Sequence, residues 1–396
     1  MADLQNRVRA LTDKFIEVYG VSPQTVVRAP GRVNLIGEHT DYNDGYVLPI
    51  AIDRDILIAA APSNDPTVCL YTMNLDRVST FPLNDIQKDL ENDWSNYPRG
   101  VAHMLHRMRR RIGGVNMAVQ GDIPLASGLS SSAAFEVASA MVFQVLNDFE
   151  MTGSEMALLC QSAENEFVGV NCGIMDQFIS RLGSKNHALF IDCRTLEYDL
   201  VPLPAEGIKV IVADSMKKRG LVDSEYNVRR AQCEEAVSVL KSYMPGIRAL
   251  RDVTAVDFRR YGRDLPPTIR RRAEHVVMEN NRVLESTDAL RKSDLQLFGR
   301  LMNQSHESLR DKYDASGREL DALVESALRI PGVYGSRMTG AGFGGCTVSL
   351  VKDEAVEEFL ERVPIEYRAR IGTTPIVYVC TPENGAEVLV NEQPKP

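Results

Sequence analysis

The spacing of apolar residues changes period along the chain. Leu4, Val8, Leu11, Phe15 and Val18 recur at helical spacing behind Asp3, so the first twenty residues predict an amphipathic helix lying on a core. Short β-branched runs at 26–28, 56–60 and 67–71 predict strands, and helical spacing returns over 97–108. Residues 114–120 predict a strand, then 131–146 and 154–167 predict two helices. Strands around 189–191 and 209–213 lead into a mostly helical second half, with helices over 223–243, 254–261, 267–289, 295–313 and 318–328. Strands return at 346–350 and 376–379, and 391–396 reads as a frayed end. Pro202 and Pro204 interrupt the pattern, which places the expected boundary between two lobes, 1–205 and 206–396. Neither lobe looks self-sufficient around a ligand, so the site is expected in the cleft between them.

The most informative stretch is 29–43, which packs Arg32, Glu38, His39 and Asp41 into one segment between apolar runs. Gly31, Gly37 and Gly45 permit tight or left-handed backbone, so the segment predicts a compact loop held between strands. Carboxylates, a guanidinium and an imidazole at close spacing supply both donors and acceptors, which suits a ligand dense in hydroxyls. Solvated charges on a surface loop are the plain alternative.

A second stretch, 123–134, lies between a predicted strand and a long helix. Its small residues let an anion approach the backbone, and the N–H groups opening the helix would hold phosphates. Ser130, Ser131 and Ser132 add hydroxyls, including a hard-oxygen ligand for magnesium. It is not a Walker loop, since no Gly-Lys-Ser/Thr follows; alone it could be a helix capped by serines. A third stretch, 336–346, contains GxGxxG over 340–345 but precedes a strand instead of opening a helix, so the dinucleotide reading fails. There the glycine turn, not a side chain, is expected to matter. Glu164 and Asp176, read alone, would be a solvated helix face and a helix-capping acid.

Composition narrows the class. Lys and Arg number 45 against 54 Asp and Glu, a net charge of −9 that argues against general nucleic-acid binding. The run 106–111 reads as a solvated basic helix end. With 44% hydrophobic and 25% charged residues, the chain reads as an ordinary folded soluble protein. Seven scattered cysteines without a CxxC pair fit a reducing cytosol better than disulfides or zinc. No apolar run approaches the roughly 18 residues of a membrane span, and the start lacks a signal-type core; a cytoplasmic protein is expected.

The stretch 29–43 resembles the sugar-binding signature of galactokinases nearly residue for residue. Stretch 123–134 resembles the Pro-x3-Gly-Leu-x-Ser-Ser-Ala motif of the GHMP small-molecule kinases, 336–346 resembles their third motif, and 172–177 resembles the Cys-Gly-Ile-Met-Asp-Gln motif of galactokinases. The resemblance covers about 10 to 379. It implies the α+β, two-lobed GHMP kinase fold, with ATP and Mg²⁺ and with phosphorylation of D-galactose at the C1 hydroxyl. By that resemblance Asp176 is the base or positioning residue for this hydroxyl, and Arg32 orients it and stabilises charge. Glu38, His39 and Asp41 would hold sugar hydroxyls, Gly173 would offer backbone contact, and Tyr226 would line the sugar pocket. Gly128, Leu129, Ser130, Ser131, Ser132 and Ala133 would cradle the nucleotide phosphates, with Trp94 and Tyr97 near the adenine. Glu164, with Ser132 or Ser131, would bind Mg²⁺. The chain departs from many relatives at Ala126-Ser127, at Ala341 and at Asp214-Ser215-Met216. A kinase for N-acetylgalactosamine or L-arabinose, or a galactose sensor without catalysis, stay open as alternatives; the intact 128–134 loop favours an enzyme. The expected partners are small molecules, not nucleic acid or membrane, for a monomer or weak dimer.

Overall fold

A computed structural model describes residues 2–124, 128–217 and 222–392, without side chains for 2 and 222–224. The first part runs α1 (Ala2–Tyr19), β1 (Thr25–Asn34), β2 (Tyr46–Val47), β3 (Pro49–Pro62), β4 (Thr67–Thr72), β5 (Arg77–Pro82), α2 (Asn96–Arg107), β6 (Val115–Gly121), α3 (Ser131–Leu146), α4 (Gly153–Ser162), α5 (Met175–Leu182), β7 (His187–Asp192) and β8 (Tyr198–Pro202). The second runs β9 (Ile208–Asp214), α6 (Val222–Leu240), α7 (Ala255–Tyr261), α8 (Pro267–Arg291), α9 (Leu295–Ser308), α10 (Arg318–Leu328), β10 (Val333–Thr339), β11 (Cys346–Lys352), α11 (Val356–Ile371), β12 (Ile376–Cys380) and β13 (Glu387–Asn391). Among the described residues no helix is long and apolar enough to cross a membrane.

Three sheets organise these elements: β13-β1-β3-β6-β4-β5, β10-β11-β9-β12 and β2-β7-β8. Pairing is antiparallel except between β4 and β6. The largest apolar cluster draws on β1, β3, β6, α3 and the second sheet together, so the two halves share one core. The last strand crosses back: β13 pairs with β1, through Thr25 opposite Asn391, and thus sits in the sheet of the first half. Asn391 is therefore strand instead of frayed end; 393–396 lie outside the described residues.

The pattern misplaces two features that matter for the site. The strand expected over 26–28 continues to Asn34, because Arg32, Val33 and Asn34 pair with Ala51, Ile50 and Pro49 across a bulge at Gly31. The first six residues of the expected loop 29–43 are thus buried strand, and the loop proper begins at Leu35. The helix expected over 154–167 is α-helical only to Ser162 and finishes as a π-turn, Ala163–Val168, that carries Glu164. The helix expected over 295–313 likewise ends as a π-turn, Leu309–Tyr313. β10 and α11 escape the pattern for different reasons. β10 buries Ser336, Arg337 and Thr339 in place of apolar residues, and α11 holds Pro364 inside it.

Candidate active site

β1 brings Arg32 to the first turn of α5. Arg32 donates from Nε to Asp176 Oδ1 and from Nη2 to Asp176 Oδ2, both at 2.7 Å, a bidentate pair. Its Nη1 donates to the Gly128 carbonyl at 2.6 Å, and its backbone N–H to the Leu129 carbonyl at 3.1 Å. Burial disfavours the guanidinium charge, yet the carboxylates of Asp176, Glu38 and Asp41 together outweigh it and raise the pKa. Ser130 adds the third contact, its hydroxyl donating to Asp176 Oδ2 at 2.5 Å. To do so Ser130 takes left-handed backbone, φ 60°, immediately before α3. Gly31 is required beside it: a Cβ there would stand 2.6 Å from the Leu129 carbonyl oxygen. β1, the turn at 128–130 and α5 therefore meet at one carboxylate.

The loop after β1 presents Glu38, His39 and Asp41. Asp41 Oδ1 accepts the Tyr42 N–H at 3.0 Å, and the carboxyl packs onto the bare Cα of Gly173. Burial, then the neighbouring Asp176 charge, pushes Asp41 up to about 7. His39 is held at φ 64°, with Nδ1 2.7 Å from the Tyr42 hydroxyl, which is 2.7 Å from that of Tyr313. Its ring packs against Tyr226 and Tyr313, at centroid distances of 5.8 and 4.6 Å. Burial, and then His275, lower His39 to about 3, so it is neutral at pH 7. Glu38 Oε1 accepts the Gly340 N–H at 2.8 Å, which ties this loop to the stretch 336–346. α8 grips the loop at both ends, Glu279 Oε1 accepting the Gly37 N–H and Asn280 Oδ1 the Tyr46 N–H, each at 3.0 Å.

Glu164 is held by the residue after Asp176, Gln177. Its Oε2 accepts the Gln177 amide at 2.6 Å and the Cys172 thiol at 3.4 Å. Burial, then the Asp176 charge, raises Glu164 to about 7, while the Ser132 hydroxyl, Cys172 and Gln177 oppose the rise. A buried carboxylate that resists ionisation, beside a hydroxyl and a second carboxylate, is a donor set a hard divalent cation would satisfy. Among the described residues no three His, Cys, Asp or Glu side chains converge as a metal site. Glu164 and the Ser132 hydroxyl are the groups here that could hold such a cation.

Ser131 and Ala133 lie in the first turn of α3, the serine part-exposed and the alanine buried, while Leu125, Ala126 and Ser127 lie outside the described residues. Trp94 stacks on Phe135 of α3, with rings 14° apart and centroids 6.4 Å apart, and its indole N–H is buried without an acceptor. Tyr97 opens α2 and packs on the same core.

Four site residues were not legible. Glu136 is fully buried on α3, shares the Gln177 amide with Glu164 at 3.1 Å, and has its Oε1 unpaired. An acid among Ala133, Ala134, Phe135, Val137 and Ala138 was the available signal. Gln177 and Arg337 stand inside the motifs at 172–177 and 336–346 without a role read for them, and Glu279 gave no signal. The third motif, expected to act through its glycine turn, also contributes side chains. Thr339 Oγ1 donates to the Asn34 carbonyl at 3.0 Å, and Arg337 enters the core.

Residues 13–62 match the galactokinase galactose-binding signature, 96–184 the N-terminal domain of GHMP kinases and 286–369 their C-terminal domain. With the fold above, these matches define a GHMP kinase. The mevalonate kinase of Methanococcus jannaschii shares the fold at TM-score 0.66 and 20% identity, over 91% of this chain and 99% of that one. Nearer relatives narrow the family. The galactokinase of Roseiflexus sp. strain RS-1 is 48% identical over 97% of this chain and 98% of its own, and that of Chloroflexus aurantiacus 50% over 95% and 96%. The Lactococcus lactis galactokinase, solved in complex with galactose, superposes at TM-score 0.92 with 38% identity over 96% of this chain and 99% of that one. The chain belongs to the galactokinase family.

Proposed function

We propose that this chain transfers the γ-phosphoryl group of ATP to the C1 hydroxyl of D-galactose, giving galactose 1-phosphate and ADP. The observation that carries it is the meeting of Arg32, Ser130 and Asp176: the acid, the sugar strand and the phosphate loop share one hydrogen-bonded point. Asp176 takes or orients the proton of the C1 hydroxyl as its oxygen bonds to phosphorus and the bond to ADP breaks. Arg32 holds that carboxylate in place and offsets charge on the transferring group, positioning and neutralisation being most of phosphoryl-transfer catalysis.

Asp41, His39 and Glu38 hold sugar hydroxyls, with neutral His39 fixed by Tyr42, Gly173 leaving room for Asp41, and Tyr226 walling the pocket. The N–H groups and hydroxyls of 128–133 cradle the phosphates, and Trp94 and Tyr97 flank the adenine. Mg²⁺, held by Glu164 and Ser132 or Ser131, would neutralise the β- and γ-phosphates. We divide the chain near 205–206 into two lobes, the last strand returning to the first.

Coupled ADP release over a sugar panel tests the reading. Galactose should be used efficiently and glucose almost not at all, because a pocket built around one hydroxyl orientation leaves buried polar groups unpaired with the other, a rejection of up to roughly 10⁴-fold. Equal use of glucose would refute it. Preference for N-acetylgalactosamine or L-arabinose would move the substrate but keep the kinase, and no turnover with retained galactose binding would identify a sensor.

A further inference from the structure

Arg337 has the largest fully buried side chain among the described residues, at 0% exposure. A guanidinium in such surroundings persists only with compensating charge. Two carboxylates provide it: Glu38 Oε1 is 3.5 Å from Nη1, and Glu279 Oε1 is 3.8 Å from Nη2. Nη1 also donates to the Asn34 carbonyl at 3.3 Å, at the end of the sugar strand. Glu279 in turn accepts from Gly37 N–H at 3.0 Å, Ser305 Oγ at 2.5 Å and Arg282 Nε at 2.7 Å. Two arginines and two glutamates thus balance in the interior, and the only member on the sugar loop is Glu38. Every other tie to residues 34–38 in this set comes from β10 or α8.

We propose that Arg337 is a positioning residue for sugar recognition: it neutralises Glu38 and Glu279 together and so fixes the Glu38 carboxylate, setting galactose affinity without touching ATP. The inference rests on the sugar role given to Glu38 above. Glu38 keeps one backbone donor, Gly340 N–H, when Arg337 is removed. Of the groups that favour the ionised carboxylate Arg337 is the strongest; without it the more weakly acting Arg32 charge, the Asn34 side chain and this N–H are left against full burial. The carboxylate would then turn toward solvent or bind a proton, and either change removes an acceptor from the pocket. The nucleotide groups lie on α3 and the phosphate loop, outside this set.

The test is steady-state kinetics of Arg337→Met, Arg337→Lys, Glu38→Gln and the Arg337→Met/Glu38→Gln double variant, with galactose and each deoxygalactose. Arg337→Met should raise the galactose KM about tenfold or more, the size of one charged hydrogen bond, with the ATP KM within about twofold. The deoxygalactose whose disadvantage vanishes in Glu38→Gln should lose its disadvantage in Arg337→Met as well. The double variant should be no worse than Glu38→Gln, because both changes remove the same interaction. Arg337→Lys keeps the charge, should recover part of the affinity, and decides by the same criteria should Arg337→Met fail to fold. Parent-like galactose KM and deoxy-sugar selectivity in the arginine variants, or equal rises in both KM values, would overturn the inference while leaving the Glu38 reading intact. Parent-like behaviour of Glu38→Gln would overturn both.

Discussion

Asp41 and Gly173 fit together so closely that no side chain can be added at 173 without moving Asp41: a Cβ there would lie 1.8 Å from Asp41 Oδ2. The carboxyl is pinned from its other oxygen by the Tyr42 N–H, so it cannot swing clear without losing that bond. We expect Gly173→Ala to fold, at an overpacking cost of about 1–3 kcal/mol. It should raise the galactose KM by about tenfold or more through displacement of Asp41. The ATP KM should stay near the parent's. Kinetics with each substrate varied in turn check this, and an unchanged galactose KM would remove Asp41 from the sugar site.

Asp176→Asn is the test of the reacting centre. The amide presents one acceptor where the carboxylate presents two, so the paired bonds from Arg32 Nε and Nη2 cannot both survive, and no base remains for the hydroxyl proton. Turnover should fall by about 10²- to 10⁴-fold, the usual worth of a general base. Nucleotide binding should persist, since the change removes none of the N–H groups of 128–133 proposed to hold it. A variant within a few-fold of parent turnover would show that Asp176 does not act on the hydroxyl.

Why some of this site was legible and some was not follows from chain distance. Arg32, Glu38, His39 and Asp41 sit within ten residues of one another, so their types and spacing survive in one segment. Asp176 was legible only through its motif; read by itself it is a cap on α5. Glu136, Gln177, Arg337 and Glu279 act on partners far along the chain, Arg337 reaching Glu38 across 299 positions and Glu279 reaching Gly37 across 242. No local period encodes such a contact. The same holds for the fold: apolar spacing gives α3 from Ser131 to Leu146, but not β10, whose buried polar residues are satisfied by neighbouring elements, with Ser336 accepting from Ser349 at 2.8 Å. The π-turn at Glu164 is equally invisible, because it keeps the helix's composition and alters only its hydrogen bonding.

Asp41 should make sugar binding pH-dependent. Its carboxyl is raised from 3.8 to about 7, so the folded protein holds this proton more tightly than the unfolded chain. Its contribution to stability is therefore full at low pH and is lost as pH rises from about 4 through about 7. Sugar hydroxyls donate to the ionised form and favour it. The galactose KM should accordingly fall as pH rises from about 6 to about 8, while Asp41→Asn gives a weaker but flatter profile. A parent KM that is flat or rises over that range would contradict the assignment.

Glu164 should trade stability for function. Its carboxyl is raised from 4.5 to about 7, chiefly by burial and next by the Asp176 charge, so above about pH 7 the ionised group weakens the metal-free fold. Glu164→Gln removes that charge and keeps an acceptor for the Gln177 amide. At pH 8 without magnesium the variant should therefore unfold at a higher temperature than the parent. The same change removes a charged oxygen ligand, so the Mg²⁺ concentration for half-maximal rate should rise by about tenfold or more. Trp94 is the only tryptophan and stacks on Phe135 of α3, so its emission reports events at the start of that helix. Titrating Mg²⁺ and ATP against this signal separates weakened metal binding from slowed chemistry. A parent-like magnesium titration would refute the metal role, and a lower unfolding temperature at pH 8 would show that ionised Glu164 is no burden to the fold.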